Sequence, residues 1–476
     1  MIAVLVLHTA AAGLIGAVLL AMLRWIRRRS RAAASIVAAG VLARVAIGLP
    51  LFWISYLHLP IGTSLQFGDG FWILASDAPA YQRAALAVPA WGFGPSPGSS
   101  GGYVRVLAIW LHLVGQSPAA GLYLNVLMFV VTAAIVIAVV PAANDWRRDA
   151  PVLAGVAAFS FNPTLVGHAT QPLKDTFMAL ALALGCAAAY VLFKVLDSEV
   201  HGPERARRSV VAIVGLLLSI YLVARIRPYF IFVQWGCYLV AAIVSFSAET
   251  RQRIQTFSVH AITLIALWAV MAYGGGSYYN EVMERTVNAG VNNPSALYRN
   301  SASFIKEAQI GFVRTASGTN AAAADIGVSE GNSTPGVQLA GGWNVRKGLV
   351  LMFVPVAIAT PMRLLRLEGG RGLLAAADID TMFIDASVLL ILLLCVARRH
   401  ELRRNLPYFS FTMSIAVVSA GLIAYVVTNL GTLLRLRLMF GVPLWMTAIA
   451  LVPLAYAERR DASPDAIAAE LGVDRR

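Results

Sequence analysis

Apolar positions along the chain gather into repeated unbroken runs of about 18 to 22 residues, not into the short alternations of strands, and a run of that length crosses about 30 Å of hydrocarbon as a single helix. The first, from Ile2 to about Leu23, is followed by the basic stretch RWIRRRSR. With no basic segment before it and no small-residue cleavage site after it, this run predicts a retained helix with a stop-transfer flank. Placing Arg24 to Arg31 in the cytoplasm puts the start of the chain on the outer face. Further crossings are predicted near Ala33–Tyr56 and Gly121–Val140. A fourth rises from NDWRRD to the outer turn GHATQPLKD, and a fifth returns to HGPERARRS. The others lie near Val210–Val223, Ile231–Phe246, Thr256–Tyr273, Ile384–Val396, Phe409–Val427 and Leu438–Ala455. The expected fold class is an all-α polytopic membrane protein with about eleven transmembrane helices, structured outer loops and interfacial helices.

Four regions follow from this order. Residues 1–273 form an N-terminal transmembrane module whose first outer loop spans 57–120, residues 274–380 a large outer region, residues 381–457 the last transmembrane helices, and residues 458–476 a cytoplasmic tail beginning with a capping-like SPDA. In the first loop, VRVLAIWLHLVG reads as a helix lying along the interface. Trp72, Trp91 and Trp110 read as interfacial anchors, with stacking on a sugar as the alternative for one of them. The stretch from Gly274 to Arg346 is the least hydrophobic. Beyond it, Arg363, Arg366 and Arg371 and the stronger ARRHELRR signal cannot both be cytoplasmic after single crossings, so Gly348 to Pro361 is expected to be re-entrant or interfacial, broken by Pro355 and Pro361.

Composition sharpens the class. The chain of 476 residues is 58% hydrophobic and 13% charged, and its net charge of +14 comes from Lys and Arg in short clusters between apolar runs. The basicity is therefore topological, and nucleic acid is not an expected partner. Cys186, Cys237 and Cys395 lie inside apolar runs with no CxxC spacing, which predicts neither a disulfide framework nor a zinc site.

Ionisable groups near a bilayer are costly, so their sorting by face is informative. The outer face collects Asp69 and Asp77 in the first loop, His168, Lys174 and Asp175 in the second, Arg225 and Arg227 in the third, and Arg435 and Arg437 in the last. Any one of these alone is readily explained by snorkelling. In ARIRPYF, Pro228 favours an extended chain at Arg227, which would let Arg225 and Arg227 point one way and grip an anion; GTLLRLRL repeats the spacing with Arg435 and Arg437. Paired guanidinium groups suit a phosphate or pyrophosphate, with anionic phospholipid as the plainer partner. Asp175 at a helix start is explained by the helix dipole or by a second carboxylate facing Asp77. Asp77, His168 and Asp175 are the candidates for a divalent metal, without a recognised ligand motif. Glu281, Glu284 and Arg285 read as solvated surface, with acceptor binding as the alternative. Within the helices, Asn125, Asn162 and Asp385 stand out.

SDAPAYQRAA, YVRVLAIWLHLVGQSPAAGLYLNVLM, FNPTLVGHATQPLKDTFMALALAL and NLGTLLRLRLMFGVPLW together resemble the GT-C superfamily of polytopic membrane glycosyltransferases, which use polyprenyl-phosphate-linked sugars. The resemblance spans most of residues 65 to 190 and 425 to 446, and the helix before the first loop departs from the family pattern. It implies an inverting transfer from a polyprenyl-phosphate sugar donor to a glycan, lipid or protein acceptor on the outer face of a bacterial inner membrane, in envelope or exopolysaccharide synthesis. Asp77 would be the general base and Asp69 the other candidate, with Asp175 as a further carboxylate. Lys174, Arg225, Arg227, Arg435 and Arg437 would bind the lipid phosphate. The competing readings are an O-antigen ligase or polymerase using lipid pyrophosphate donors, a lipid-linked sugar transporter, and a non-enzymatic envelope subunit. A transporter would be expected to carry ionisable groups on broken helices near mid-membrane, and none is evident in the sequence.

Overall fold

A computed structural model describes residues 2–72, 75, 77–89, 101–140, 146–197, 202–248, 253–284, 348–349, 352–355, 371–427, 433 and 435–452. Among the described residues there are fifteen α-helices: α1 (Ile2–Arg29), α2 (Arg31–Tyr56), α3 (Ala78–Ala87), α4 (Gly101–Val114), α5 (Ala119–Val139), α6 (Trp146–Phe161), α7 (Pro163–Ala169), α8 (Asp175–Asp197), α9 (Pro203–Ile226), α10 (Phe230–Ala248), α11 (Arg253–Val282), α12 (Arg371–Ala397), α13 (Arg399–Arg404), α14 (Leu406–Val426) and α15 (Leu438–Met446). A two-stranded hairpin, β1 (Gln66–Gly68) and β2 (Phe71–Trp72), lies in the first loop.

Among the described residues nine helices are long and apolar enough to cross a membrane. The protein is an all-α polytopic membrane protein. The fourth expected crossing is a bent pair, α6 from Arg148 with α7, turned by 47° at Asn162. The eleventh is the shorter apolar stretch Leu438–Leu451, whose α15 is buried along its whole length. The helix expected near Ile384–Val396 begins earlier, at Arg371. α11 runs past the expected end at Tyr273 to Val282, through a kink where Gly276 takes φ 52°. Most of the region expected to be re-entrant, the stretch from Arg285 to Arg346, Trp91 and the tail lie outside the described residues.

α8 is the central element: most of its residues are buried, and it packs on α5, α9, α14 and α15. α4 lies against α1, α3, α5 and α9 and buries Tyr103, Leu107, Trp110 and Leu111. Its remaining side, with Ile109 and Leu113, is open. Its approach to α9 depends on Gly102, where any Cβ would collide with Arg225. Gly121 does the same for the turn before α8, since a Cβ there would lie 2.7 Å from Pro172 Cβ. Trp72 and Trp110 are not interfacial anchors; both are buried, and their indole N–H groups donate to Leu51 O at 2.7 Å and Ala120 O at 2.6 Å. The three cysteines are buried and free.

The bend between α6 and α7 exposes polar backbone groups where no water can satisfy them. Pro163 supplies no N–H and Asn162 caps α7, its Oδ1 accepting from Leu165 N at 2.9 Å. Arg44, in the middle of α2 and 1% exposed, donates to Ser160 O at 2.7 Å and Phe159 O at 3.4 Å. Its guanidinium lies 3.8 Å from the centre of the Phe129 ring. At the start of α7, Asp380 of α12 accepts from Thr164 N at 3.0 Å and Asn162 Nδ2 at 2.8 Å. A cation thus meets the negative end of α6 and a carboxylate the positive end of α7, each the favourable sign for its helix dipole. Both charges reach the break from neighbouring helices, Arg44 from α2 and Asp380 from α12, and not from the broken pair itself.

Arg44→Leu removes the partner of two buried carbonyls, and a lost buried partner costs about 1–3 kcal/mol. The variant is expected to unfold in detergent at a clearly lower temperature than wild type. An unchanged melting temperature would show that the bend is held by other contacts.

Candidate functional site

At the end of the bundle where α8 begins, four stretches of chain far apart in sequence bring charged side chains together. Asp175, the first residue of α8, has a side chain only 2% exposed. Arg435 places both Nε (3.2 Å) and Nη2 (3.0 Å) on its Oδ2, and Arg227 Nη2 donates to its Oδ1 at 3.1 Å. Arg435 Nη1 then reaches out to Asp77 Oδ2. The result is a chain of alternating charge, Arg227–Asp175–Arg435–Asp77, running from the protein interior to the surface.

Local folding explains each position. Asp77 directly precedes α3, yet its side chain makes no capping bond to that helix; the carboxylate turns to Arg435 and remains 47% exposed. Arg227 caps the end of α9 with φ −145° and ψ 80°, outside the helical region that the following proline disfavours. Its Nη1 also donates to Tyr229 Oη at 3.1 Å. The proline acts only on Arg227, however. Arg225 remains in the last turn of α9, so the two arginines do not form one grip. The same holds for the later pair: the chain at Arg435–Arg437 is helical, and residues two apart on a helix point in different directions. Arg437, 1% exposed, turns inward to Asp380 Oδ2 at 3.4 Å and Thr381 Oγ1 at 2.6 Å.

His168 of α7 comes to 3.8 Å of Asp175 Oδ2 through Nδ1. Lys174, just before α8, holds its ammonium 5.7 Å from the centre of the Tyr81 ring. Burial first, and then the nearby Arg227, push the Lys174 pKa down to about 7. Burial opposes the charge on Arg435 too, but Asp175 and Asp77 outweigh it and hold the guanidinium more firmly protonated than usual. Tyr81 and Tyr103 pack edge to face with ring centres 5.5 Å apart, forming an aromatic wall beside the charges. Tyr103 Oη is buried and has no hydrogen-bond partner among the described residues.

Asp69 stands apart as the turn residue of the hairpin, exposed and with φ 53°. Glu281 and Glu284 are exposed near the end of α11, and Arg285 lies outside the described residues. Among the described residues no group of three or more His, Cys, Asp and Glu side chains is placed to hold a metal ion. Between Asp77 and Asp175 the positive charge is supplied by Arg435. Asn125 is a packing residue, its Nδ2 donating to Gln171 O at 2.6 Å in the turn that leads to Lys174. Two groups escaped the sequence reading, Arg44 and Asp380. The signals were a lone arginine inside an apolar run and the DID triplet ahead of another.

Asp175→Asn should destabilise the protein by about 3 kcal/mol, the scale for removing one partner of a buried ion pair, whereas Asp77→Asn should cost less than about 1 kcal/mol because that carboxylate is half-exposed. Thermal unfolding of both variants compares them directly. For Lys174, the folded pKa lies below the ordinary 10.5, so the unfolded chain binds more protons between about pH 7 and 10.5 and stability rises with pH across that window. Lys174→Met should remove that rise; a pH–stability profile identical to wild type would refute the assignment. No protein-family model, curated protein or solved structure matches the chain.

Proposed function

We propose that the protein is an inverting glycosyltransferase that moves a sugar from a polyprenyl-phosphate donor to a hydroxyl acceptor at the outer membrane face, with Asp77 as the general base. The observation that carries this reading is the pairing of Asp77 with Arg435. An exposed carboxylate and a cation firmly held by buried Asp175 stand side by side at one end of a membrane bundle.

In the proposed reaction the acceptor oxygen attacks the anomeric carbon and gives its proton to Asp77. The bond from that carbon to the phosphate oxygen breaks, and its electron pair leaves on the lipid phosphate. Arg435 and the Lys174 ammonium stabilise the charge on that phosphate. Partly buried Arg225 is the further cation proposed to meet a lipid head group, while Arg227 and Arg437 act through the carboxylates they hold. Asp175 sets Arg435 in place and does not touch substrate. A phosphate arriving at Arg435 competes with Asp77 for the guanidinium, which frees the base when the donor is bound.

Transport of a lipid-linked sugar gains one supporting observation, the α6–α7 bend with buried charges at both half-helix ends. Those charges are engaged with backbone groups, which favours a structural role for them and leaves the enzyme as the better reading.

Purified protein reconstituted with a panel of radiolabelled polyprenyl-phosphate sugars and total envelope lipid is expected to transfer label. Asp77→Asn should reduce transfer by about 100-fold or more, the scale of general-base catalysis, with donor binding nearly kept. Equal transfer by wild type and variant would remove Asp77 from the chemistry, and label moved across the bilayer without bond formation would favour transport.

A further inference from the structure

The end of the bundle opposite Asp175 has a concave site that the proposed reaction does not use. There α8, α10 and α14 border a cavity of about 360 Å³, within the size range of small-ligand pockets. Lys194 and Asp197 enter it from the last turns of α8, and Arg403 and Arg404 from the junction of α13 and α14. Tyr190 and Tyr408 form an aromatic wall, their rings edge to face at 5.1 Å. The junction is fixed by Asn405, whose Nδ2 donates to Ala450 O at 2.8 Å and Glu401 O at 2.9 Å. Arg403 and Arg404 therefore stand on an anchored turn while their side chains stay exposed.

Among the described residues that line the cavity there are three cations, Lys194, Arg403 and Arg404, and one carboxylate, Asp197. Helix-dipole stabilisation accounts for Lys194 near the end of α8. It does not account for two guanidinium groups brought from another helix to the same concavity. The same end of the bundle carries Arg27, Arg28 and Arg29 of α1 and Arg207 and Arg208 of α9, a distribution that the positive-inside rule assigns to the cytoplasm. Basic pockets between transmembrane helices on that side suit phosphorylated head groups, and a guanidinium matches phosphate oxygens with paired donors.

We propose that this cavity binds a phosphate group at the cytoplasmic membrane surface, held by Arg403, Arg404 and Lys194. The site lies along α8 from the Asp77–Arg435 cluster, at a distance of about 30 Å for a helix of its length, and the inference does not depend on the outer site's activity.

Binding to the purified full-length protein in neutral detergent tests it, with short-chain phosphatidylglycerol and inorganic phosphate as separate probes and short-chain diacylglycerol as the uncharged control. The double variant Arg403→Gln, Arg404→Gln changes exposed side chains and should keep the wild-type melting temperature. It is expected to weaken binding of at least one phosphate probe by about tenfold or more, the scale of lost charge-assisted hydrogen bonds. Lys194→Gln should also weaken it and Lys194→Arg should retain it. Loss confined to phosphatidylglycerol identifies a lipid head group, and loss of both probes a site for free phosphate groups. Arg225→Gln, at the other end of the bundle, should leave the cavity-dependent part unchanged. Wild-type affinity for both probes in the double variant and in Lys194→Gln, or no binding of either probe to wild type, would overturn the proposal.

Discussion

The carboxylate of Asp175 is closed off from water at the end of an apolar bundle, and such a group persists only where its charge is met and its oxygens are bonded. Arg435 and Arg227 meet that demand from two directions. Because Arg227 ends α9 and Arg435 precedes α15, satisfying one side chain ties α8 to both. Asp77 then joins the first loop to the same cation across 358 residues of sequence. The convergence of four chain segments is thus enforced electrostatically, within a bundle whose apolar packing alone would tolerate small shifts of one helix along another.

A second ionic layer lies beneath the first. α6 carries the chain about 24 Å from its own start before it breaks, given its 16 residues and the rise per residue of a helix. At the break Arg44 and Asp380 take up the exposed helix ends, and Arg437 neutralises Asp380. Arg435 and Arg437 therefore work as a staple: helical geometry turns one to Asp175 and the other to Asp380. Any displacement of this segment would disturb both layers together. This coupling gives the Asp175 cluster a rigid foundation, which side chains carried on loops alone would lack.

Most of the helices were legible because hydrocarbon thickness imposes their length, and α2, α5, α10 and α14 coincide closely with the crossings read from sequence, while α9 begins at Pro203, seven residues before the expected Val210. Asp77, Asp175 and Arg435 stood out in the sequence as charges beside apolar runs, but their pairing was not legible, since nothing local records a contact between residues so far apart. The paired-arginine reading failed for a physical reason. Pro228 restricts only the residue before it, so the helix continues through Arg225 and separates it from Arg227; no proline interrupts Arg435–Arg437 at all. The break in α6–α7 did have a signature, Asn162 followed by Pro163 as cap and first helical residue. It went unread because the flanking apolar run is long enough to cross without a bend.

The unequal burial of the two carboxylates divides their work. Both oxygens of Asp175 are engaged by guanidinium groups, and the side chain is 2% exposed, so proton transfer to it would dismantle the cluster that holds the helices together. Asp77 has the opposite character: it is 47% exposed, no helix cap claims it, and losing its bond to Arg435 leaves the Asp175 pairing intact. An anion that displaced Asp77 would find Arg435 already oriented and would meet Lys174, whose charge is poised near neutrality by burial and would be strengthened by the anion itself. Only the outermost link of the charge chain is exchangeable, and for that reason the proposed base is Asp77 and not the carboxylate at the centre.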